Sequence, residues 1–229
     1  MSNNKEIQLF TNIQMWYHKH IVHFIIFLIL TGLPFVSPYF HWIAYAVGVP
    51  IATVSGSSEV MTLGLQVCRI VHRIVAGLWI LTTIPMLFVM LPKIGKWDIT
   101  PHRREGQGWI DYIKEGLADT KRVYIDWQYP KFMGKYNLFQ ILAAWTVIFV
   151  CIVMVASGII LWFRTEFSPE LVAFVRVAHF AGFIVMILFL IIHIYFAVHP
   201  VNRAGFKAMF RTGTDSESHA SKKHPGLFK

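Results

Sequence analysis

The stretch AHFAGFIVMILFLIIHIYFAV, Ala178–Val198, decides the fold. It runs without an acidic residue, lysine or arginine. A bilayer core of about 30 Å takes roughly 20 residues of helix, so the run is long enough to cross it. Two of its side chains are imidazoles, His179 and His193. At about 100° and 1.5 Å per residue, their spacing leaves both rings within roughly 40° on one face and about 21 Å apart along the axis. Ionisable groups inside a membrane are rare because they are costly, and they mark function or a named partner. One helix can in this way ligate two haems, one toward each membrane surface.

Three more stretches carry the same signal, which predicts an all-α integral membrane protein, a bundle of four transmembrane helices at about residues 16–40, 66–91, 138–163 and 171–198. The 229 residues are 55% hydrophobic and 15% aromatic, with only 14% charged, too apolar for an ordinary soluble domain. A net charge of +9 could signal nucleic-acid binding, but its distribution argues otherwise. Lysine and arginine crowd the 92–137 loop (Lys93, Lys96, Arg103, Arg104, Lys114, Lys121, Arg122, Lys131, Lys135) and the tail (Arg203, Lys207, Arg211, Lys222, Lys223, Lys229), while residues 37–65 have none. The positive-inside rule makes the loop, the tail and both termini cytoplasmic and assigns the charge to topology and lipid, with no nucleic-acid partner. The organisation is a four-helix domain at 1–200 followed by a basic tail at 201–229. The leader is polar and the first apolar run long, which predicts a retained anchor and no cleaved signal peptide. Two cysteines, Cys68 and Cys151, on different spans read as small core residues.

Within the cytoplasmic loop, GWIDYIKEGLADTKRVYIDW alternates apolar and charged residues at near-helical spacing, an amphipathic helix for the membrane surface or another subunit. Pro34, Pro38, Pro50, Gly48 and Gly56 mark the outer loop, and its apolar middle at 41–54 reads as interfacial. No P-loop, dinucleotide fingerprint or zinc motif is present, so substrate chemistry belongs to a partner.

Depth sorts the histidines. The second and fourth spans both start outside, with His72 and His179 near their beginnings. The first starts inside with His18, His20 and His23, and His193 comes late in the fourth as it returns. Charge-derived topology thus pairs His72 with His179, and His193 with one first-span histidine. Two bis-histidine haems b are the simplest chemistry for facing imidazoles in a bundle core. Gly77 and Gly182 leave room for a flat macrocycle or, equally, let helices pack closely. Arg69, Arg73 and Arg176 are cations for haem propionates, with snorkelling to headgroups as the competing use. His41, His102, His199, His219 and His224 fall in loops or tail and are expected to be solvated. A haem-free membrane anchor or a metal transporter is the rival from another class.

The motif HxxGxxxxxxxxxxHIY at His179–Tyr195, followed by HPVNRAGFKAMFRTG from His199 and preceded by GKYN at Gly134–Asn137, resembles the di-haem cytochrome b (gamma) subunit of membrane-bound respiratory formate dehydrogenases, within the wider formate dehydrogenase, thiosulfate reductase and hydrogenase cytochrome b family. The resemblance covers about residues 14–213. It implies an outer haem on His72 and His179 and an inner haem on His193 and a first-span histidine. It implies a quinone, menaquinone or ubiquinone, near Asn137 and Gln140, with Tyr136 and Lys135 beside them; simple helix capping is the alternative role for that pair. The implied partners are an iron-sulfur subunit and a molybdenum or tungsten catalytic subunit in a bacterial or archaeal cytoplasmic membrane, electrons passing in either direction. The family's interval back from Gly32 falls on His18. This chain reads MWYHKHIVHF where the family often has arginine upstream and tryptophan just after the ligand, which keeps His20 in competition. A hydrogenase or a sulfur-compound reductase is the alternative owner of the same cytochrome.

Overall fold

Hydrocarbon offers no partner for backbone N–H and C=O groups, so apolar segments of this length satisfy themselves as helices. The computed structural model describes residues 5–90, 99–101 and 103–228. Lys93, Lys96, His102, Lys229 and the expected end of the second span at residue 91 lie outside the described residues. Among the described residues, four helical segments are long and apolar enough to cross a membrane: Asn12–Phe35, Val60–Met86, Leu138–Trp162 and Pro169–Val198. The chain divides into two compact units, one of residues 16–92 and one of residues 1–15 with 93–229.

The first unit contains most of α1 (Asn12–Gly32), then α2 (His41–Ser55) and α3 (Val60–Met90), with two short 3-10 turns at Leu33–Phe35 and Pro38–Phe40. Helices α1 and α3 run antiparallel, tied near one end by Tyr17 and Thr83 hydroxyls 2.7 Å apart and near the other by Thr31 and His72. The sequence signals at Gly48 and Pro50 suggest an irregular interfacial loop, yet the segment is helical, with Pro50 inside it. Close backbone contact explains why. A Cβ on Gly48 would lie 2.0 Å from the Val60 carbonyl oxygen, and one on Gly64 1.8 Å from that of Ala44. The small residues that look like loop punctuation are what let α2 lie directly on α3. Gly56 then ends α2 in the left-handed region, φ 67°.

The second unit holds α4 (Trp109–Tyr124), α5 (Leu138–Trp162), α6 (Pro169–Val198), α7 (Arg203–Lys207) and α8 (Glu217–Lys223), with strands β1 (Glu6–Gln8) and β2 (Thr214–Ser216). Helix α5 starts at a capping box: the Asn137 side chain accepts the Gln140 N–H at 2.8 Å, and the Gln140 side chain accepts the Asn137 N–H at 2.9 Å. Ser168 caps α6, and Pro169 takes the first position, where no N–H is needed. Gly182 seats α6 on α5, since a Cβ there would be 2.6 Å from the Met154 sulfur. That is the close-packing use of the glycine.

Helix α4 is the expected amphipathic helix. It buries Asp119 and Val123 and leaves Trp109, Ile110, Ile113 and Leu117 exposed. Gly116 admits Leu138 of α5, whose Cβ lies 2.8 Å from where a Gly116 Cβ would stand. The Asp119 carboxylate accepts the backbone N–H groups of Lys131 and Phe132, each at 2.7 Å, which pins the segment leading into α5.

The tail is folded rather than a solvated basic extension. Strands β1 and β2 pair antiparallel, Ile7 opposite Asp215. Gly213, at φ 71°, accepts the N–H groups of Leu9 and Phe10 at 2.9 and 3.0 Å, and a Cβ there would meet the Phe10 carbonyl at 2.9 Å. Asn202 donates to the Tyr124 hydroxyl at 3.0 Å and to the Phe196 carbonyl at 2.9 Å, so the exit of α6 is locked to the end of α4. The three tail-side histidines, expected to be solvated, are engaged instead. His199 accepts the Val201 N–H and packs against Tyr124 and Trp127, His219 pairs with Asp215 at 2.6 Å, and His224 bonds the Gly134 carbonyl. Tyr124 and Trp127 for His199, and Gly134 for His224, are partners too distant in sequence to leave a periodic signal.

Candidate functional site

Helix α1 presents Thr31 and Gly32 to His72 of α3. The Thr31 hydroxyl has one proton, and its 2.6 Å approach to the Phe27 carbonyl shows where that proton goes. At His72, 3.0 Å from Nδ1, the same oxygen can therefore only accept, so Nδ1 carries the hydrogen. The lone pair is left on Nε2. Gly32 makes room for the ring, since a Cβ there would lie 3.3 Å from His72 Cε1.

The same device recurs between α5 and α6. Ser157 donates to the Val153 carbonyl at 2.6 Å and accepts from His179 Nδ1 at 2.9 Å. Gly158 faces the ring, 3.5 Å from Cε1 to a Cβ position. His179 is thus also an Nδ1–H tautomer with its lone pair on Nε2. A hydrogen bond on the far nitrogen that fixes ring orientation and raises ligand basicity is the usual support of an iron-binding imidazole. Each of these oriented imidazoles, taken by itself, has the chemistry of an axial ligand to a haem b iron.

The remaining expected ligands are placed as follows. His18 is half-buried, and its Nδ1 is shielded from solvent. His20 and His23 are exposed, with Nδ1 bonded to the carbonyls one turn back in their own helix, Trp16 at 2.8 Å and Lys19 at 3.0 Å. The His20 ring also stacks on Trp16 at 4.3 Å. His193 stands on an exposed face of α6, stacked on Phe189 at 5.2 Å. Gly77, five residues after His72, has no atom within 4 Å of a Cβ position, so the α3 surface there has room for a flat group. Arg73 is half-buried and Arg176 exposed. The Arg69 guanidinium lies over the Phe35 ring at 5.4 Å. Cys68 and Cys151 are free thiols.

Asn137 is buried and Gln140 exposed. Their carboxamide oxygens serve the capping box, so the amide nitrogens are the donors they offer a ligand. Lys135 lies over the rings of Phe10, at 5.0 Å, and Tyr136, at 5.7 Å.

Sequence reasoning missed Thr31 and Ser157 as partners of the imidazoles. The available signal was a hydroxyl-glycine pair, LTG and ASG, in the span before each of two histidine-bearing spans. It also missed Trp79, whose Nε1 is shielded and makes no hydrogen bond among the described residues. Seven residues after His72, Trp79 lies within about 20° of it on the same face of α3. A buried N–H without an acceptor costs about 1–3 kcal/mol, which an oxygen of a bound group would offset.

Four apolar spanning helices, and imidazoles whose lone pairs are preset by hydroxyl groups, define a multi-pass membrane protein of the cytochrome b class, a carrier of electrons. Residues 9–212 match the family described as prokaryotic cytochrome b561, and the chain belongs to that family. It is 25% identical over its whole length to the nitrate-inducible formate dehydrogenase cytochrome b556(Fdn) subunit of Escherichia coli, covering 93% of that protein. It is 24% identical over 87% of its length to the formate dehydrogenase cytochrome b556(fdo) subunit of the same species, covering 81% of it. The formate dehydrogenase cytochrome b556 subunit of Haemophilus influenzae is 25% identical over 73% of the chain, with 60% of that protein covered.

Proposed function

We propose that this chain is the membrane-anchoring di-haem cytochrome b subunit of a formate dehydrogenase-like complex, joining an extracytoplasmic oxidoreductase to membrane quinone on the cytoplasmic side. The observation that carries the reading is the matched pair of hydroxyl-held histidines, His72 and His179, each offering Nε2. His72 and His179 would hold the outer haem. His193 and His18 would hold the inner one; His18 is favoured over His20 by its burial and its shielded nitrogen. Haem b supplies one-electron transfer through its iron. Both termini, the 92–137 loop and the tail are cytoplasmic in this reading, from the lysine and arginine distribution. The membrane is then the bacterial inner membrane.

Electrons enter from an iron-sulfur subunit bound to a catalytic subunit and leave to quinone, which takes two electrons and two cytoplasmic protons to become quinol; the reverse flow uses the same residues. Asn137 and Gln140 donate amide N–H groups toward the quinone carbonyls, with Tyr136 and Lys135 beside them. Arg73 and Arg176 neutralise propionates. The owner of the complex can equally be a hydrogenase or a sulfur-compound reductase, because the shared family is broader than the formate dehydrogenases; the largest co-purifying subunit decides. The rival reading, a haem-free membrane anchor or metal transporter, would give purified protein with a featureless visible spectrum.

Two measurements test the reading. Purified complex should contain about two haems b per copy of this chain and show a sharp reduced α-band. His193→Ala should remove one of them together with quinone turnover and spare the other. Equal loss of both haems in an inserted variant would sink the paired-depth assignment.

A further inference from the structure

The segment that leads into α5, Gly134–Asn137, is held by more than its own helix. From one side, Asp119 of α4 fixes Lys131 and Phe132. From the other side comes the end of the chain. His224 donates from Nδ1 to the Gly134 carbonyl at 3.0 Å, and Gly226 donates its N–H to the Met133 carbonyl at 3.0 Å. The approach is backbone to backbone: a Cβ on Gly226 would stand 3.1 Å from Gly134 Cα and from the Met133 carbonyl oxygen. The amino terminus closes the same segment, with the Phe10 ring under the Lys135 ammonium at 5.0 Å. Phe10 and the tail are joined through Gly213 and the β1/β2 pair. The tail itself is anchored by Lys223, 9% exposed, whose ammonium donates to the Val201 carbonyl at 2.9 Å just beyond α6.

The contacts from Asp119, His224, Gly226 and Phe10 fall on residues 131–135, in a stretch, 131–137, that carries no helix or strand of its own. Thr214–Phe228 also lies beyond the part of the chain matched by the family, residues 9–212. We propose that the folded tail, through His224 and Gly226, is a positioning clamp on Gly134–Asn137 that sets the affinity of the quinone site, an inference that rests on the reading of Asn137 and Gln140 as quinone donors. Neither tail residue touches quinone. They act by fixing the backbone from which the Asn137 amide, Tyr136 and Lys135 project.

The clamp has a pH dependence of defined sign. Burial pushes His224 below its ordinary 6.5, the Gly134 bond partly opposing; Lys223 and His219 push it down further, and Asp215 pulls it up. Burial also lowers Lys223 from 10.5 to about 8. Both groups hold fewer protons docked than undocked. Docking therefore strengthens as pH rises through the ordinary range of His224, and again between about 8 and 10.5 for Lys223, and weakens on acidification below 6.5.

The test uses the whole complex reconstituted with a short-chain quinone. His224→Ala should raise the quinone KM about fivefold, the worth of one neutral hydrogen bond, with kcat and haem content at wild-type values. His224→Asn, which restores an N–H donor at the position of Nδ1 without an ionisable group, should recover the KM and flatten its rise below pH 6.5. Gly226→Val, which forces the two backbones apart, should raise KM as His224→Ala does. Asn137→Ala serves as the control on the site itself. If Asn137→Ala raises KM and the tail variants do not, the clamp is overturned and the quinone site stands. If neither changes KM, the quinone reading fails and the clamp with it. If the tail variants lose haem, or lower kcat without a KM change that His224→Asn repairs, the tail is merely structural and the proposal is wrong.

Discussion

His72 and His179 sit on different helix pairs in different units of the chain, yet each is prepared by the same three atoms. A hydroxyl on the preceding spanning helix gives its proton to a carbonyl one turn back and accepts from Nδ1, and the next residue is a glycine facing Cε1. The two seats differ in small ways. Thr31 is 3.0 Å from its imidazole and Ser157 is 2.9 Å; Gly32 is 0.2 Å tighter than Gly158, at 3.3 against 3.5 Å. The likeness teaches that ring orientation is decided by the neighbouring helix rather than by the helix that bears the histidine. The difference shows that the first seat is confined more by sterics, while the second has slack beside its ring.

Removing the rings should have the largest effect. Under the proposal that both seats serve one iron, His72→Ala and His179→Ala should each cost the complex one haem, and the double variant should lose no more than either alone. Haem per chain and the reduced α-band amplitude read this directly. A double variant that loses both haems, where each single variant loses one, would break the symmetry between the seats and assign each to a separate cofactor.

Next in size is the hydroxyl. Thr31→Val keeps the shape of the side chain and deletes the acceptor, and Ser157→Ala does nearly the same. Loss of such outer support typically costs about 10- to 100-fold in metal affinity or activity. Both variants should need correspondingly more haem to reach half occupancy, and Thr31→Ser should bind as wild type does. Should Thr31→Val bind haem normally, the seat is a matter of packing alone, and the Nδ1 proton has no bearing on ligation.

Much of this fold is written locally. Four long apolar runs, the Asn137/Gln140 cap and the amphipathic α4 each show up within one segment, because hydrophobic period and capping are properties of neighbours in sequence. His179 and His193 are legible for the same reason. Helix α2 is not, since Gly48 and Pro50 look like breakers until Val60 is brought against Gly48 and Gly64 of α3 against Ala44. Thr31 and Ser157 look like ordinary small polar residues, because their meaning depends on a ring 41 and 22 positions away. The tail is hardest of all: β1 and β2 are three residues each, and they pair across almost the whole chain. What is local reads from sequence, and what holds the candidate ligands and the 134–137 segment in place is mostly not local.

The glycines give the smallest effects and the sharpest comparison. Within a helix, glycine to alanine gains up to about 1 kcal/mol from backbone entropy alone, so the sign of each substitution depends on what the new methyl meets. At Gly158 it meets His179 Cε1 at 3.5 Å, ordinary van der Waals contact, and Gly158→Ala should raise thermal stability and leave the haem spectrum unchanged. At Gly32 the methyl comes to 3.3 Å from His72 Cε1, and the ring has to yield by a few tenths of an ångström while Thr31 still holds its Nδ1. Gly32→Ala should therefore offset its entropic gain with a tilted imidazole, seen as a shifted midpoint potential for one haem and no gain in stability. If the two variants behave alike, the 0.2 Å between the seats is without consequence, and the confinement inferred for His72 is not real.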